Sequence, residues 1–381
     1  MSENLLEGLG LAMDRLSLLP DDLIFKILSF VPSKGAVITS LLSKRWCSLW
    51  KHVPNLVYAD PYIYSEYWRA SRFIDKFLLL RDNAHALETM HLYVSQTCPP
   101  IDIETWVGVA VSRGVRDLIF HQYSGIWYQP IRLPRSMYTC ETLVTLKLLN
   151  AFIVDVPLNI CFPSLKSLNL ACVDFLSDDD IVHRLLSGCC VLEDLKVVRW
   201  AHDKVKTFKI MVPSLQRLTV DDVFTNGNPV PGPDAGFVIK APCLKSLTIT
   251  SQFGWFHSLV KMPYLVTANI KLQHGDSKNL LGCVTSAKHL SLCVKKTMDS
   301  HPIGDFSQLV SLKVCCTCSL EWYRLILRRA PKLRVLRFQG QAISLRSPCI
   351  NDLHKCYSSS GDDVQSQWER PSSVPECLIL R

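Results

Sequence analysis

A six-residue phrase recurs eleven times along this chain, and it constrains the fold more than any other feature. Five copies carry a proline turn: FPSLKSLNL (162–170), VPSLQRLTV (212–220), APCLKSLTI (241–249), MPYLVTANI (262–270) and APKLRVLRF (330–338). Six lack the proline: LETMHL (87–92), VRDLIF (115–120), LVTLKL (143–148), LEDLKV (192–197), AKHLSL (287–292) and LVSLKV (309–314). From residue 87 to residue 333 the copies step by 21 to 29 positions. In every copy the first, fourth and sixth residues are apolar, although the chain is only 48% apolar. A unit this short cannot bury its own apolar face, so successive units must stack. In a strand, residues four and six point one way and residues three and five the other. The first set builds a continuous core. The second lines the concave face of a parallel sheet. Short helices or turns must return the chain on the convex side, and residues 179–187, followed by Gly188, fit one such helix.

The array departs from a regular one. An asparagine or cysteine three residues past the end of the phrase would satisfy backbone groups where the chain bends. Those places hold Ala151, Val173, Trp200, Val223, Gln252, Gln273, Lys295, Thr317 and Gln341. Residues 225–236 (TNGNPVPGPDAG) read as a loop insertion. The expectation is an irregular, less curved solenoid.

A different pattern occupies the first fifty residues. Pro20 suits a helix start, and Asp21 and Asp22 follow at its positive end. Leu23, Ile24, Ile27, Leu28 and Val31 recur at helical spacing before Pro32 stops the helix. A second short helix fits residues 36–41. A third, capped by Ser43, fits residues 44–51 with Trp46, Leu49 and Trp50 on one face. Three short helices in about 40 residues cannot bury all of these side chains among themselves. The surplus must pack on the rest of the chain or on a partner.

Leu19-Pro20-Asp21-Asp22, Ile27-Leu28, Val31-Pro32 and Leu42-Ser43-Lys44-Arg45-Trp46 with Leu49-Trp50 resemble, in order, the F-box of plant F-box/leucine-rich-repeat proteins. The phrase behind them has the leucine-rich-repeat period. The resemblance implies an α/β fold: a three-helix F-box followed by an irregular leucine-rich-repeat solenoid with a parallel sheet on its concave face. It implies binding of a Skp-type adaptor, and through it a cullin, with Leu19, Pro20, Ile27, Leu28 and Trp46 at that interface. Ubiquitin transfer would occur on other subunits, so no catalytic residue is expected. The division expected is a tail over 1–14, the F-box over 15–55, a connecting helical segment over 56–85 and repeats over 86–345. Residues 346–381 then form a linker and the truncated start of an FBD domain, carried by Trp368, Pro371, Val374-Pro375-Glu376-Cys377-Leu378.

Composition narrows the classes further. The net charge of +8 is spread out, with no dense Lys/Arg block, so a nucleic-acid partner is not expected. The longest uncharged stretch, residues 246–260, is too short and too polar to span a bilayer. No export signal opens the chain, so the 16 cysteines read as reduced, in cytoplasm or nucleus, and mostly as small core residues. Cys315, Cys316 and Cys318 lack a second ligand pair at zinc spacing, so neither a metal nor a cofactor is expected. No phosphate loop, G-x-S-x-G or H-E-x-x-H motif occurs. The concave positions include Lys147, Lys196, Arg217, His289, Lys313 and Arg337 against one acid, Asp194. Such a face suits an acidic or phosphorylated segment of an unknown protein substrate, with Lys196, Arg217, Lys313 and Arg337 as the contacts. Two alternatives stay open: a small-molecule-dependent receptor on the same scaffold, and a degenerate member without substrate.

Overall fold

A computed structural model describes residues 16, 18–60, 66–82, 85–122, 131–150, 152–175, 180–200, 205–223, 236–251, 256–272, 278–294, 304–315 and 326–339. The loop insertion, the expected FBD start, Cys316, Cys318 and most of the late bend positions lie outside them.

Twelve parallel strands form one sheet, each hydrogen-bonded to the next in chain order. The first is Asn55–Ala59, followed by Thr89–Val94, Asp117–Gln122, Thr145–Leu149, Ser167–Ala171 and Asp194–Trp200. Arg217–Val223, Ser246–Ser251, Thr267–Leu272, His289–Val294, Ser311–Cys315 and Val335–Gln339 complete it. Eleven of the twelve carry the repeated phrase. The first does not: NLVYA precedes the phrase by about thirty residues and stands inside the segment expected to be helical. The alternation holds in most strands, as where Leu168 and Leu170 are buried while Ser167, Asn169 and Ala171 face outward; in Asp117–Gln122 the outward residues Ile119 and His121 are buried as well. The core is a single apolar cluster from Ile24 to Leu336.

The convex side is returned partly by helices: α4 (Pro100–Ser112), α5 (Ile181–Ser187) and α6 (Lys278–Cys283). Elsewhere it is returned by strands that the sequence reading did not separate. Ile131–Arg132, Phe152–Val154 and Asp174–Phe175 form one small parallel sheet, and Thr207–Met211, Gly236–Lys240 and Phe256–Leu259 form another. Their phenylalanines stack from turn to turn, with ring centroids of Phe175 and Phe208 5.3 Å apart and those of Phe237 and Phe256 5.9 Å apart. Gly188 ends α5 with φ −76°, not in the left-handed region. It is glycine because a Cβ there would lie 2.8 Å from Ile160 Cγ1.

The bend groups are satisfied one residue earlier than the regular spacing implies. Asn150 and Cys172 take left-handed backbones (φ 63° and 53°), and each donates its N–H to a carbonyl of the following strand, Ala171 or Val198, at 2.8 Å. Asn150 Nδ2 also donates to Gln122 O at 3.2 Å. Gln122, Asn150, Arg199, Asp222 and Ser251 form a buried polar staircase at the strand ends. Arg199 donates to Val205 O at 2.6 Å and lies over Phe208, and the Ser251 hydroxyl donates to Asp222 at 2.7 Å. These strands run one residue past the six-residue phrase, to Leu149 and Ala171, and the left-handed residue follows at once.

The N-terminal helices cover the first strand. α1 (Asp21–Ser29) and α2 (Ser33–Ile38) agree with the expectation to within a few residues. The expected third helix is instead turns over 44–48 and a 3₁₀ helix, Leu49–His52. Three-residue hydrogen bonds such as Trp46 N–H to Ser43 O (3.1 Å) tighten this stretch and bring Trp46, Leu49 and Trp50 all inward. Ser33 Oγ accepts from Val57 N–H at 2.8 Å, and Asn55 Nδ2 donates to Ser29 O at 2.9 Å. An edge strand is thereby tied to the helices through its side chains and backbone.

Asn150→Ala should destabilise the fold by about 1–3 kcal/mol, through backbone strain and the loss of the bond to Gln122 O. Asn150→Gly should recover part of that in urea denaturation, because glycine tolerates the left-handed backbone. Equal losses for the two variants would show that the backbone conformation contributes nothing.

Candidate functional site

Two surfaces carry the sequence-derived candidates. The first is the outer side of the helical module. Its inner side is committed: Ile24, Leu28, Ala36, Trp46, Leu49 and Trp50 are buried. Leu28 is 1% exposed and Trp46 3%, so of the five expected interface residues these two hold the module together from within. Pro20 and Ile27 are exposed, and Leu19 is half-buried against the core. The exposed stripe along α1 and its C-cap is Leu23, Ile27 and Phe30, at i, i+4 and i+7, with Phe30 80% exposed. Ile38, Leu41 and Leu42 form a second stripe that begins at the last residue of α2. The helical spacing in the sequence merged the inner and outer sides of α1 into one stripe. Arg45 fixes the start of α1, donating to Leu19 O at 2.6 Å and to Asp21 Oδ1 at 2.5 Å.

The second surface is the concave sheet face. Its middle row reads, strand by strand, Val57, His91, Ile119, Lys147, Asn169, Lys196, Thr219, Thr248, Asn269, Ser291, Lys313, Arg337. Arg217 lies on the adjacent row, opposite Asp194, and pairs with both of its carboxylate oxygens, which hold the guanidinium protonated. Its charge is therefore already matched. His91 is likewise paired with Asp117 at 2.9 Å. Lys196, Lys313 and Arg337 are exposed and make no ion pair among the described residues. Lys313 and Arg337 are register neighbours on the last two strands. Lys196 stands five strands before Lys313, about 24 Å away at ~4.8 Å per strand. Between them the row presents only Thr219, Thr248, Asn269 and Ser291.

Asp221 lies beside this track. Burial raises its carboxyl above the ordinary value, while Lys196 and Lys271 pull it down. The described cysteines form no disulfide. Cys98, Cys140 and Cys189 are core residues, whereas Cys47, Cys161, Cys190 and Cys243 lie at the surface. Burial pushes the Cys172 thiol up to about 11 and that of Cys189 to about 12, so both are protonated and inert at neutral pH. Among the described residues no helix is long and apolar enough to cross a membrane.

A helical module fused to a stacked parallel-strand array defines an F-box/leucine-rich-repeat protein. Residues 16–58 match the F-box domain, and residues 103–289 match the leucine-rich-repeat model of FBD-associated F-box protein At5g56370. The chain is 59% identical to the FBD-associated F-box protein At5g56440 of Arabidopsis thaliana, over 96% of this chain and 84% of that one. It is 38% identical to the F-box/FBD/LRR-repeat protein At5g56420 of the same plant, over 96% of this chain and 83% of that one. The chain belongs to this FBD-associated F-box/leucine-rich-repeat family. Neither matched module is an enzymatic domain, and proteins of this architecture act as adaptors.

The folded state holds the Asp221 proton more tightly than the unfolded chain does, so its ionisation costs stability as pH rises above about 4. Asp221→Asn should therefore raise the urea midpoint at pH 7, with the gain shrinking as pH falls toward about 4. A midpoint lowered at pH 7 would mean that attraction to the Lys196 and Lys271 charges outweighs burial.

Proposed function

We propose that this chain is the substrate-recruiting subunit of a Skp–cullin-type ubiquitin ligase. The observation that carries this reading is the two-sided helical module. Its inner residues are spent on the repeat sheet, while Leu23, Ile27, Phe30, Ile38, Leu41 and Leu42 stay exposed on its outer side. Apolar side chains at helical spacing are what a partner helix or groove recognises. The Skp-type adaptor is the partner that the F-box match supplies. The module is pinned to the sheet, so a substrate on the concave face is held at a fixed distance from the ligase. The substrate segment that fits best is extended and acidic or phosphorylated, spanning Lys196 to the Lys313–Arg337 pair. Cytoplasm or nucleus is the compartment this role requires.

The receptor alternative would need an enclosed pocket among the repeats. The depression of about 580 Å³ bounded by Arg116, Glu141, Lys166 and Val191 is widely open and lies at the strand starts, off the concave rows. It is not the enclosed site that a buried small molecule would need.

Ile27→Asp and Phe30→Asp should weaken binding to a purified Skp-type adaptor by at least about 30-fold each, with unfolding unchanged. Full binding by both variants would remove the adaptor assignment. Lys196→Glu with Lys313→Glu should reduce salt-sensitive capture of the substrate, while Arg217→Glu, whose charge Asp194 already matches, should do less. Equal effects at all three positions would argue against the track.

A further inference from the structure

Outside both surfaces, three potential metal ligands converge at the seam between the helical module and the repeats. They are His52, in the 3₁₀ helix that ends the module, and Asp82 and His85, which follow α3 (Tyr67–Leu80). His52 Nδ1 lies 3.6 Å from Asp82 Oδ2, His85 Nδ1 lies 3.3 Å from the same oxygen, and the two nitrogens are 3.5 Å apart. We propose that these three atoms bind a zinc ion.

The distances argue for it. Zinc bonds to nitrogen and oxygen of about 2.0–2.1 Å at tetrahedral angles separate neighbouring ligand atoms by about 3.3–3.4 Å. An octahedral magnesium site would bring them to about 2.9 Å, and calcium and magnesium prefer oxygen over imidazole. The three atoms outline one face of a zinc tetrahedron. The side chains are 28% (His52), 40% (Asp82) and 49% (His85) exposed, so the fourth position opens to solvent and takes a water.

The ligand-bearing backbones are also held from behind. Arg81 is buried and donates to Val53 O at 2.6 Å and to Ala86 O at 2.5 Å, the residues that follow His52 and His85. Asp82 N–H donates to Lys51 O at 3.3 Å. The Phe25 ring of α1 lies against His52, with centroids 5.6 Å apart. One side chain thus sets the spacing of two histidines 33 residues apart. A search for paired cysteines passes over this set, because its ligands are two histidines and an aspartate from separate segments. Bound zinc would tie the helical module to the helix behind the first strand and fix its angle to the sheet.

The test uses the full chain, stripped with chelator and titrated with Co²⁺ and then Zn²⁺. The expected result is one cobalt with the visible absorption of a four-coordinate nitrogen–oxygen site and no thiolate charge-transfer band, displaced by zinc. Zinc should raise the melting temperature. His52→Gln and His85→Gln should each weaken uptake at least ~10-fold and abolish that rise. Absence of uptake, a thiolate band carrying the signal, or unchanged affinity in the His52→Gln/His85→Gln double variant would overturn the proposal. Should the variants fail to fold, X-ray absorption of the zinc-loaded wild type decides. Two imidazole ligands support the site, and sulfur ligands overturn it.

Discussion

A parallel ladder in which every strand pairs only with its chain neighbours leaves two open edges, and the N-terminal edge is where this molecule is organised. Unpaired backbone groups on an edge strand invite association unless something covers them. Here α1 and α2 do so, through Ser33 to Val57 N–H and Asn55 to Ser29 O. The same helices then cannot turn their apolar inner side elsewhere. Ile24, Leu28, Trp46 and Trp50 are fixed against the sheet, and Leu23, Ile27 and Phe30 are left outside. Covering the edge and leaving an apolar face exposed are thus one arrangement.

Register extends this order along the array. Because the side-chain period is two, a slip of one residue would exchange core and concave face in every strand. The middle row stays in phase from Val57 to Arg337. That puts Lys196, Lys313 and Arg337 on a common line, and it puts Arg217 beside Asp194 on the next. At the strand ends the buried staircase of Gln122, Asn150, Arg199, Asp222 and Ser251 replaces a uniform asparagine ladder with different donors and acceptors. Asn150 reaches Gln122 O and Ser251 reaches Asp222 on the preceding turn, while Arg199 bonds Val205 O within its own, so the staircase ties neighbouring turns together.

Much of this was legible in the chain. The repeated phrase specified eleven of the twelve strands, because apolar residues alternating within a fixed frame leave a sheet few options. The first strand was missed because NLVYA lacks the frame, and only its neighbour Thr89–Val94 identifies it. The return strands were missed because two to five residues are too few to show a period. Asn150 and Cys172 were passed over by one position, because the bend depends on how far each strand actually runs.

The sequence by itself determined the class of fold, the apolar set and the order of helical module and repeats, since these follow from local spacing. It also marked the basic character of the concave positions. Tertiary structure alone decided which of two adjacent apolar residues faces inward, as with Leu28 and Ile27, because a helix stripe has no inside until the sheet edge is set beneath it. It decided that Arg217 is matched by Asp194 while Lys196 is not, and that His52 meets Asp82 and His85. Those outcomes depend on distances between segments far apart in the chain, and distance is set only when the strands stack.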